Sequence, residues 1–380
     1  MTREELFELR IDETREDVFY EMKRIIDNFP KPVDGLGRFE DLICRIGSIQ
    51  HTSTPDIVNK TLVVMCADNG ILEEGVSDVG GYMTAYTARN MSEGQSAVCY
   101  MAEIAGLKVM PVDIGINGDI EGKDLVVNKI AKGTKNFLKE PAMTEEQTLE
   151  AISYGIDLVK KLKDEGTGII CTGDMGIGNT TTAVAVICAI LDGDPVALTG
   201  RASGLSEGAY NRKLDAIFDG IKKYGYDRDD VSFGSYDGFT DPDRINHESQ
   251  RVFDMVKNLG GLDIAGLVGI FIGGALYHVP VVVDGIISAS AALAADNIIP
   301  GCKNYMLGSH FGKEPATEIV FQELELNPVI TADMSIGEGI GAVMLMPMLD
   351  MVMNMYNRLG PEEEIEVEKI MNEIHSENTV

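Results

Sequence analysis

The sequence predicts an α/β fold built on a mostly parallel sheet that helices flank on both faces. Two observations support this fold: short apolar runs alternate with helix-length segments, and every apolar run ends in polar or glycine residues. Such alternation is typical of strand–helix–strand units, whose connections lay helices over both faces of the sheet. With 380 residues, 44% of them hydrophobic, the chain can bury a large core in one large domain or two moderate ones.

The predicted strands and helices follow from the spacing of the apolar residues. Residues 3–29 have helical periodicity, and five later runs have the length and composition of buried strands. These five runs are TLVVMCAD (61–68), LKVMPVDIG (107–115), GTGIICTGD (166–174), HVPVVVDG (278–285) and KNYMLGSH (303–310). The helical stretches between them are 83–105, 144–164, 180–192, 206–223, 247–258 and 286–296.

The ends of the predicted strands indicate where a ligand binds. A turn would explain a single Asp-Gly pair, but here all five predicted strands end in polar or glycine residues. In open α/β sheets, ligands bind outside the carboxyl ends of the strands. We therefore expect a site formed by Asp68-Asn69-Gly70, Asp113-Ile114-Gly115, Gly173-Asp174, Asp284-Gly285 and Ser309-His310.

The charge of the chain limits its partners. The sequence holds 61 acidic and 32 basic residues, a net charge of −29, which repels nucleic acid and anionic membranes. A phosphate must therefore be bound locally, by backbone N–H groups and one or two basic side chains. We expect small-molecule substrates and neither a nucleic-acid nor a membrane partner. Solubility or a salty habitat would explain the same acidity.

The cysteines and histidines do not indicate a metal or cofactor site. The six cysteines and five histidines are scattered, without a C-x-x-C pair, so we expect buried reduced thiols, no metal and no cofactor. The chain has no run of 18 apolar residues, and its start, MTREELFELRIDETRED, is charged. We therefore expect a soluble, cytoplasmic protein.

The segment GDMGIGNTTT (173–182) leaves a predicted strand and enters a predicted helix. Unpaired N–H groups at a helix N-terminus favour an anion, and Gly176 and Gly178 let the backbone approach a ligand closely. Asn179 and Thr180 add side-chain donors. The segment fits neither the Walker A nor the G-x-G-x-x-G pattern. We interpret it as a phosphate-binding turn, with a tight turn and helix cap as the alternative.

Two further glycine-rich elements carry charged side chains. TGRASG (199–204) is followed by Lys213, and SIGEGIGA (335–342) places Glu338 between two glycines ahead of an apolar run. A ligand can approach a carboxylate between glycines closely, and an apolar environment raises the pKa of such a group toward the range of a general base. The alternative for Glu338 is a structural charge at a helix end.

The order of these elements resembles the nicotinate-nucleotide–dimethylbenzimidazole phosphoribosyltransferase family. The match extends from about Lys31 to Ala342, and GIGNTTTA and GEGIGA are its most specific parts. The other matching segments are KPVDGLGRFEDL (31–42), ADNGILEEGVS (67–77), GQSAVCYMAEIAGLKVMPVDIGI (94–116), EPAMT (140–144), GRASG (200–204), GGLDIAGLVGI (260–270), VVDGIISASAAL (282–293) and GSHFGKEP (308–315).

The resemblance implies a Rossmann-like large domain, a smaller helical domain from both chain ends, and a homodimer. It assigns residues 1–45 and 331–380, with their acidic tail, to the small domain and residues 46–330 to the large domain. The implied reaction moves the phosphoribosyl group of nicotinate mononucleotide to a nitrogen of 5,6-dimethylbenzimidazole. Nicotinate leaves and the anomeric carbon inverts from β to α, which makes the lower-ligand nucleotide of cobamides.

The resemblance also implies roles for residues at matching positions. Glu338 would be the general base, and Asp174 would face the reacting centre. The phosphate and ribose would be held by Gly176, Ile177, Gly178, Asn179, Thr180, Gly204, Lys213, Ser290 and Ala291. The incoming base would contact Ser77, Tyr86 and Ile336.

The sequence departs from the family mainly on the side assigned to the incoming base. Gly80 replaces the usual proline, Tyr86 the usual glutamine and Ser335 the usual arginine, while Asp174 is one methylene shorter than the usual glutamate. We therefore predict an altered or broadened choice of base, with Tyr86 mainly responsible. Drift at tolerant positions is the alternative.

Two other functions are less consistent with the sequence. A non-catalytic nucleotide-binding paralogue with a regulatory role would keep the phosphate site without turnover. The retained Glu338 and GIGNTTT segment disfavour it. A nucleotide-dependent oxidoreductase would need G-x-G-x-x-G after the first strand, and the chain lacks that pattern there.

Overall fold

The computed structural model describes residues 1–201, 204–227 and 242–359. The predicted α/β fold is confirmed: a sheet of six parallel strands has the order β3-β2-β1-β4-β5-β6. The strands are β1 (Lys60–Ala67), β2 (Leu107–Gly115), β3 (Val126–Val127), β4 (Ile169–Met175), β5 (Val281–Val283) and β6 (Met306–Gly308). The five predicted strands are all present, and the short edge strand β3 is the one that the apolar pattern did not predict.

A second, two-stranded parallel sheet lies beyond the main one. It pairs β7 (His310–Gly312) with β8 (Ile330–Met334). Because β7 begins two residues after β6 ends, the chain passes directly from the edge of the main sheet into this small sheet. The predicted run 303–310 thus contributes to both sheets.

Helices cover both faces of the main sheet. They are α1 (Arg3–Glu8), α2 (Glu16–Asp27), α3 (Arg38–Gln50), α4 (Tyr82–Ser92), α5 (Ala97–Ala105), α6 (Glu145–Asp164), α7 (Asn179–Leu191), α8 (Pro195–Leu198), α9 (Glu207–Lys223), α10 (Pro242–Leu259), α11 (Leu262–Tyr277), α12 (Ile286–Ile298), α13 (Pro315–Glu323) and α14 (Ile340–Arg358), with 3₁₀ turns at Gly70–Glu74 and Cys302–Tyr305.

Two predicted helices are each split in the structure. The stretch 3–29 forms α1 and α2, and the stretch 83–105 forms α4 and α5. The second break has a clear cause: Gly94 has φ +70, a left-handed conformation that ends a helix, and Ser96 caps α5 by accepting a hydrogen bond from the Cys99 N–H. The apolar periodicity continues across this break, so a prediction from periodicity alone gives one helix where the structure has two.

The strand β1 shows how the core is divided. All eight of its residues are buried, as expected of a central parallel strand. Val63, Met65 and Ala67 pack into one hydrophobic cluster with α6, α7, α11 and α12. Leu62, Val64 and Cys66 pack into the other cluster, which contains α2 and α3 from the start of the chain and α14 from its end. The predicted domain limits at 45/46 and 330/331 stay a prediction, and residues 360–380 of the tail lie outside the described residues.

The helices α6 and α11 pack with their backbones in close contact. A β-carbon at Gly155 would lie 2.3 Å from the Gly266 carbonyl oxygen, and one at Gly269 would lie 2.1 Å from the Ile152 carbonyl oxygen. Glycine is therefore required at both positions, because any side chain there would push the helices apart. Within the described residues, we find no helix with the length and apolar character needed to span a membrane.

Two histidines whose rings are in contact connect the C-terminal ends of α3 and α11. His51 and His278 follow these helices in the left-handed conformation, and their ring centroids are 4.2 Å apart. Burial lowers the pKa of His278, the neighbouring His51 and Lys163 lower it further, and Asp12, whose Oδ2 lies 3.5 Å from Nε2, opposes them. The folded state therefore disfavours a charge on His278.

We expect this histidine pair to make the protein less stable in mild acid. The unfolded chain binds a proton on this histidine near pH 6.5, whereas the folded chain binds it only at lower pH. The contribution of His278 to the free energy of unfolding should therefore fall as the pH drops below about 6.5, whereas Asp174 and Asp263, whose pKa values are raised in the folded state, contribute in the opposite direction. Urea unfolding at pH 7.5 and 5.5 tests this. His278→Asn should lose less stability than the parent, whereas the exposed control His247→Asn should lose as much. Equal losses in all three proteins would contradict the expectation.

Candidate active site

A cavity of about 270 Å³ opens at the carboxyl ends of β4, β5 and β6, beside the small sheet. This is the edge at which the strand ends predicted a site. Asp174, Gly285 and His310 line the cavity, whereas Asp68 and Asp113 do not. The site therefore lies at the half of the sheet from β4 to β6, and residues 76–79 of the segment after β1 also reach it.

The turn from β4 into α7 forms one wall of the cavity. Gly178 has φ +94, and a β-carbon at Gly176 would lie 2.4 Å from the Ala67 carbonyl oxygen, so both positions require glycine. The Ile177 N–H donates to Thr84 Oγ1 of α4 at 3.1 Å, which fixes the turn against the neighbouring helix. The N-terminus of α7 thus faces the cavity, where its dipole and its first N–H groups favour an anion.

A buried lysine adds a basic side chain beside this turn. Lys213 of α9 is completely buried, and its Nζ donates to Thr180 Oγ1 at 3.1 Å and to the Gly200 carbonyl oxygen at 3.4 Å. Burial lowers the pKa of Lys213, while the negative charge of Glu314 raises it. Together, the ammonium group and the helix N-terminus form a local anion site in a strongly acidic protein.

Buried carboxyl groups lie on the other side of the α7 N-terminus. Asn179 donates through Nδ2 to Asp174 Oδ2 at 2.9 Å and to Asp263 Oδ2 at 3.1 Å. Burial raises the pKa of Asp174 to about 8, and the negative charges of Asp284, Asp263 and Glu338 contribute to that rise. Burial also raises the pKa of Asp263, to about 6. Asp174 therefore keeps its proton at neutral pH.

Glu338 is held beside Asp174 by the turn between β8 and α14. Its φ is +65, a conformation that non-glycine residues rarely adopt, and Gly339 follows at φ +85. This backbone packs on β4: a β-carbon at Gly173 would lie 2.8 Å from the Glu338 carbonyl oxygen. The half-buried carboxylate lines the cavity, and burial raises its pKa. A half-buried carboxylate of this kind suits a general base.

Most of the predicted site residues meet at this cavity. The ten that line it are Ser77, Asp174, Gly176, Ile177, Gly178, Asn179, Thr180, Gly204, Ile336 and Glu338. Lys213 lies behind this lining and reaches it through Thr180. Ser290 and Ala291 are fully buried inside α12, one turn beyond the residues of that helix that face the cavity. Tyr86 lies on α4 outside the lining, with 58% of its side chain exposed.

The polar cavity residues that the sequence left without a chemical role include His310, which was expected at the site only as part of a strand end, and Lys313, Glu314 and Thr317. The first three belong to the GSHFGKEP segment, which the resemblance matched as a block without assigning roles to its residues. Thr84 was also missed, because its contribution is a hydrogen bond to a distant turn. The concentration of polar residues in the GSHFGKEP segment, between two short apolar runs, was the one sequence feature that could have indicated these cavity residues.

One group of carboxylates in the described part of the chain has spacing suited to a metal ion. It consists of Asp27, Asp34 and Glu40, none of which lines the cavity. Lys23 Nζ lies 2.8 Å from the carboxylates of Asp27 and Glu40 and 2.5 Å from that of Asp34. The lysine ammonium thus already occupies the position that a cation would take.

An α/β fold with a local anion site at the carboxyl edge of its parallel sheet is typical of the class of enzymes that bind phosphorylated ligands. A family model described as "Phosphoribosyltransferase" matches residues 11–367. The chain belongs to the nicotinate-nucleotide–dimethylbenzimidazole phosphoribosyltransferase family, as the sequence motifs predicted.

Relatives of that name match along most of their length. The protein from Clostridium acetobutylicum is 37% identical, with 92% of this chain and 94% of the relative covered. The one from Chloroflexus aurantiacus is 35% identical, with 85% and 87% covered. A crystal structure of the enzyme of that name from Thermus thermophilus has a TM-score of 0.80 at 28% identity, covering 93% of this chain and 98% of that one.

Proposed function

We propose that this protein transfers the 5-phosphoribosyl group of nicotinate mononucleotide to 5,6-dimethylbenzimidazole or a related base. The products are nicotinate and an α-ribazole 5′-phosphate type nucleotide, used in cobamide synthesis. The observation that carries the proposal is one cavity with a phosphate-binding turn and Lys213 on one side and the carboxyl groups of Glu338 and Asp174 on the other. The names of the relatives support the same reaction.

The residues suit each step of this transfer. The bond between the anomeric carbon and the pyridinium nitrogen breaks, and its electron pair returns to that nitrogen as nicotinate leaves. Positive charge develops on the ribose in the transition state, and the carboxylate of Glu338 stabilises it. One nitrogen of the azole bonds to the anomeric carbon while the proton on the other nitrogen passes to Glu338. Burial and the neighbouring carboxyl groups favour the protonated form of Asp174, so Glu338 is the better candidate for the acceptor.

Binding of the nucleotide is assigned to the other side of the cavity. The first turn of α7 and Lys213 hold the 5′-phosphate, and Gly204 borders the same space. Ser290 and Ala291 support the start of α12 from within the helix. Because Glu338 and Asp174 both line the cavity, the arrangement favours turnover over a purely regulatory binding protein.

The incoming base is assigned to the mouth of the cavity, where Ser77 and Ile336 lie. Ile336→Ala should change the relative rates of transfer to different bases by about tenfold, because apolar contact area is lost next to a flat aromatic ligand. The test is a panel of dimethylbenzimidazole, other benzimidazoles, a purine and a phenol. Each is mixed with nicotinate mononucleotide, and nicotinate release and nucleotide products are followed. The absence of transfer to any base would contradict the proposed function.

The same panel tests Tyr86. Because this side chain lies outside the cavity of the single chain, its effect on the choice of base stays a prediction. We expect Tyr86→Gln to restore a stronger preference for dimethylbenzimidazole. An unchanged ranking would remove Tyr86 from the base site. The homodimer and the cytoplasmic location also stay predictions, and light scattering of the purified protein measures the first.

A further inference from the structure

The part of the cavity wall formed by β7 and α13 carries polar side chains that have no role in the proposed reaction. These are His310 of β7 and Glu314 and Thr317 at the start of α13. All three side chains are at least nine-tenths buried, with exposed fractions of 2%, 9% and 0%. In the described part of the chain, Glu314 Oε2 and Thr317 Oγ1 have no hydrogen-bond partner. Burying such atoms without partners costs free energy, so their presence in a cavity wall points to a ligand.

The position of these groups along the cavity is well defined. At the end near Lys213, the Glu314 carboxylate packs against Gly200, so closely that a β-carbon at position 200 would lie 2.2 Å from Oε2. The Gly200 carbonyl oxygen in turn accepts a hydrogen bond from Lys213. In the middle, a β-carbon at Gly312 would lie 3.6 Å from Thr317 Oγ1 and 3.8 Å from His310 Nε2. This row of three side chains therefore begins beside the phosphate-binding lysine.

The other end of the row lies beside the catalytic turn. A β-carbon at Gly341 would lie 2.0 Å from His310 Nδ1, and Gly341 follows Glu338 by three residues. The row thus runs from Lys213 toward Glu338. In a nucleotide, the ribose hydroxyl groups lie between the 5′-phosphate and the reacting anomeric carbon. A ligand with its phosphate at Lys213 and its anomeric carbon at Glu338 has its ribose beside this wall.

The hydrogen-bonding character of the wall also fits a ribose. Ser309 Oγ donates to the Val283 carbonyl oxygen at 2.7 Å and so accepts from His310 Nδ1 at 2.9 Å. This assignment from the hydrogen-bond network leaves His310 Nε2 as an acceptor. Glu314 Oε2 is a second acceptor, and the Thr317 hydroxyl can accept or donate. Acceptors of this kind match the two hydroxyl donors of a ribose, as acidic residues do in other nucleotide sites.

We propose that Glu314, Thr317 and His310 form the ribose-recognition wall, and that Glu314 selects ribonucleotides by accepting a hydrogen bond from a ribose hydroxyl. This proposal rests on the proposed function, since it assumes a phosphoribosyl donor in the cavity. It names specificity residues that the sequence motifs left without a role.

The test compares nicotinate mononucleotide with its 2′-deoxy and 3′-deoxy analogues. Binding measured by calorimetry is the first readout, because removing a hydroxyl also alters the reactivity of the glycosidic bond. The parent protein should bind the ribonucleotide about 10–100-fold more tightly than one of the analogues, as expected for a hydrogen bond to a charged group. Glu314→Ala should bind the ribonucleotide more weakly and lose this preference. The control Glu318→Ala, an exposed position on the same helix, should keep it.

The possible outcomes separate this proposal from the proposed function. If the parent binds and turns over nicotinate mononucleotide without preferring it to either analogue, the ribose wall is wrong and the proposed function stands. If Glu314→Ala retains the full preference, Glu314 does not select the ribose. If the parent does not bind nicotinate mononucleotide, both proposals fail. Should Glu314→Ala not fold, Glu314→Leu keeps a side chain of similar volume and removes both acceptor oxygens. A reduced preference in that variant supports the proposal, and an unchanged one overturns it.

Discussion

Glu338→Gln is expected to lower turnover by about 10²–10⁴-fold while nicotinate mononucleotide binding changes little. The amide keeps the size of the side chain and its place in the turn at φ +65, but it cannot accept a proton. Since proton transfer from the incoming base occurs only in the transition state, its loss should affect kcat rather than binding. Steady-state kinetics with dimethylbenzimidazole and calorimetry with the nucleotide alone measure the two effects separately.

The pH profile gives an independent check on Glu338. Burial raises the pKa of this carboxyl above its ordinary value of 4.5, and the proton acceptor must be ionised. Activity of the parent should therefore rise with pH on the acid side through the raised pKa, and Glu338→Gln should lack that rise. A small effect of Glu338→Gln on turnover, combined with a large effect of Asp174→Asn, would assign the base to Asp174 instead.

Lys213→Met is expected to weaken nicotinate mononucleotide binding by about 10–100-fold. The methionine retains most of the apolar stem in a fully buried position but removes the ammonium group beside Thr180. In a chain with net charge −29, the remaining attraction for a phosphate would come from the α7 N-terminus and from Lys313, which also lines the cavity. Calorimetry with the nucleotide measures the loss.

Nicotinate riboside, which lacks the phosphate, makes the Lys213 experiment specific. Its affinity should be similar in the parent and in Lys213→Met, because the proposed binding mode places the lysine against the phosphate and not against the riboside. The exposed Lys222→Met on the same helix serves as the matched control and should bind both ligands normally. Equal weakening of both ligands by Lys213→Met would instead mean that the lysine supports the structure of the cavity.

The fold could be predicted from the sequence where burial leaves a simple pattern. β1 and β4 are buried over almost their whole length, so each appears as a continuous apolar run with polar residues at its end. The helix α11 has no such signature, because it is apolar on all sides and rich in glycine. Its helical structure depends on close packing against α6, and single-sequence periodicity does not report such a contact.

The candidate site was predictable where its parts are contiguous. The α7 turn is one continuous segment whose glycines have a direct backbone reason, and all of Gly176 to Thr180 line the cavity. Of the wall formed by β7 and α13, His310 was expected at the site as a strand end, whereas Glu314 and Thr317 were not predictable, since their polar atoms are recognisable only when the fold buries them without partners. The exposure of Tyr86 likewise depends on how α4 packs, which the family pattern does not specify.

The backbone contact between α6 and α11 also limits how this protein can change over evolutionary time. Gly155 and Gly269 tolerate no larger residue without separation of two central helices, so the scaffold is nearly fixed at these positions. Ile336, with 49% of its side chain exposed at the mouth of the cavity, is under no such restriction. If the incoming base binds at the mouth as proposed, substitutions that alter the accepted base can therefore accumulate there without a stability cost to the sheet and helices that hold Glu338 and Asp174.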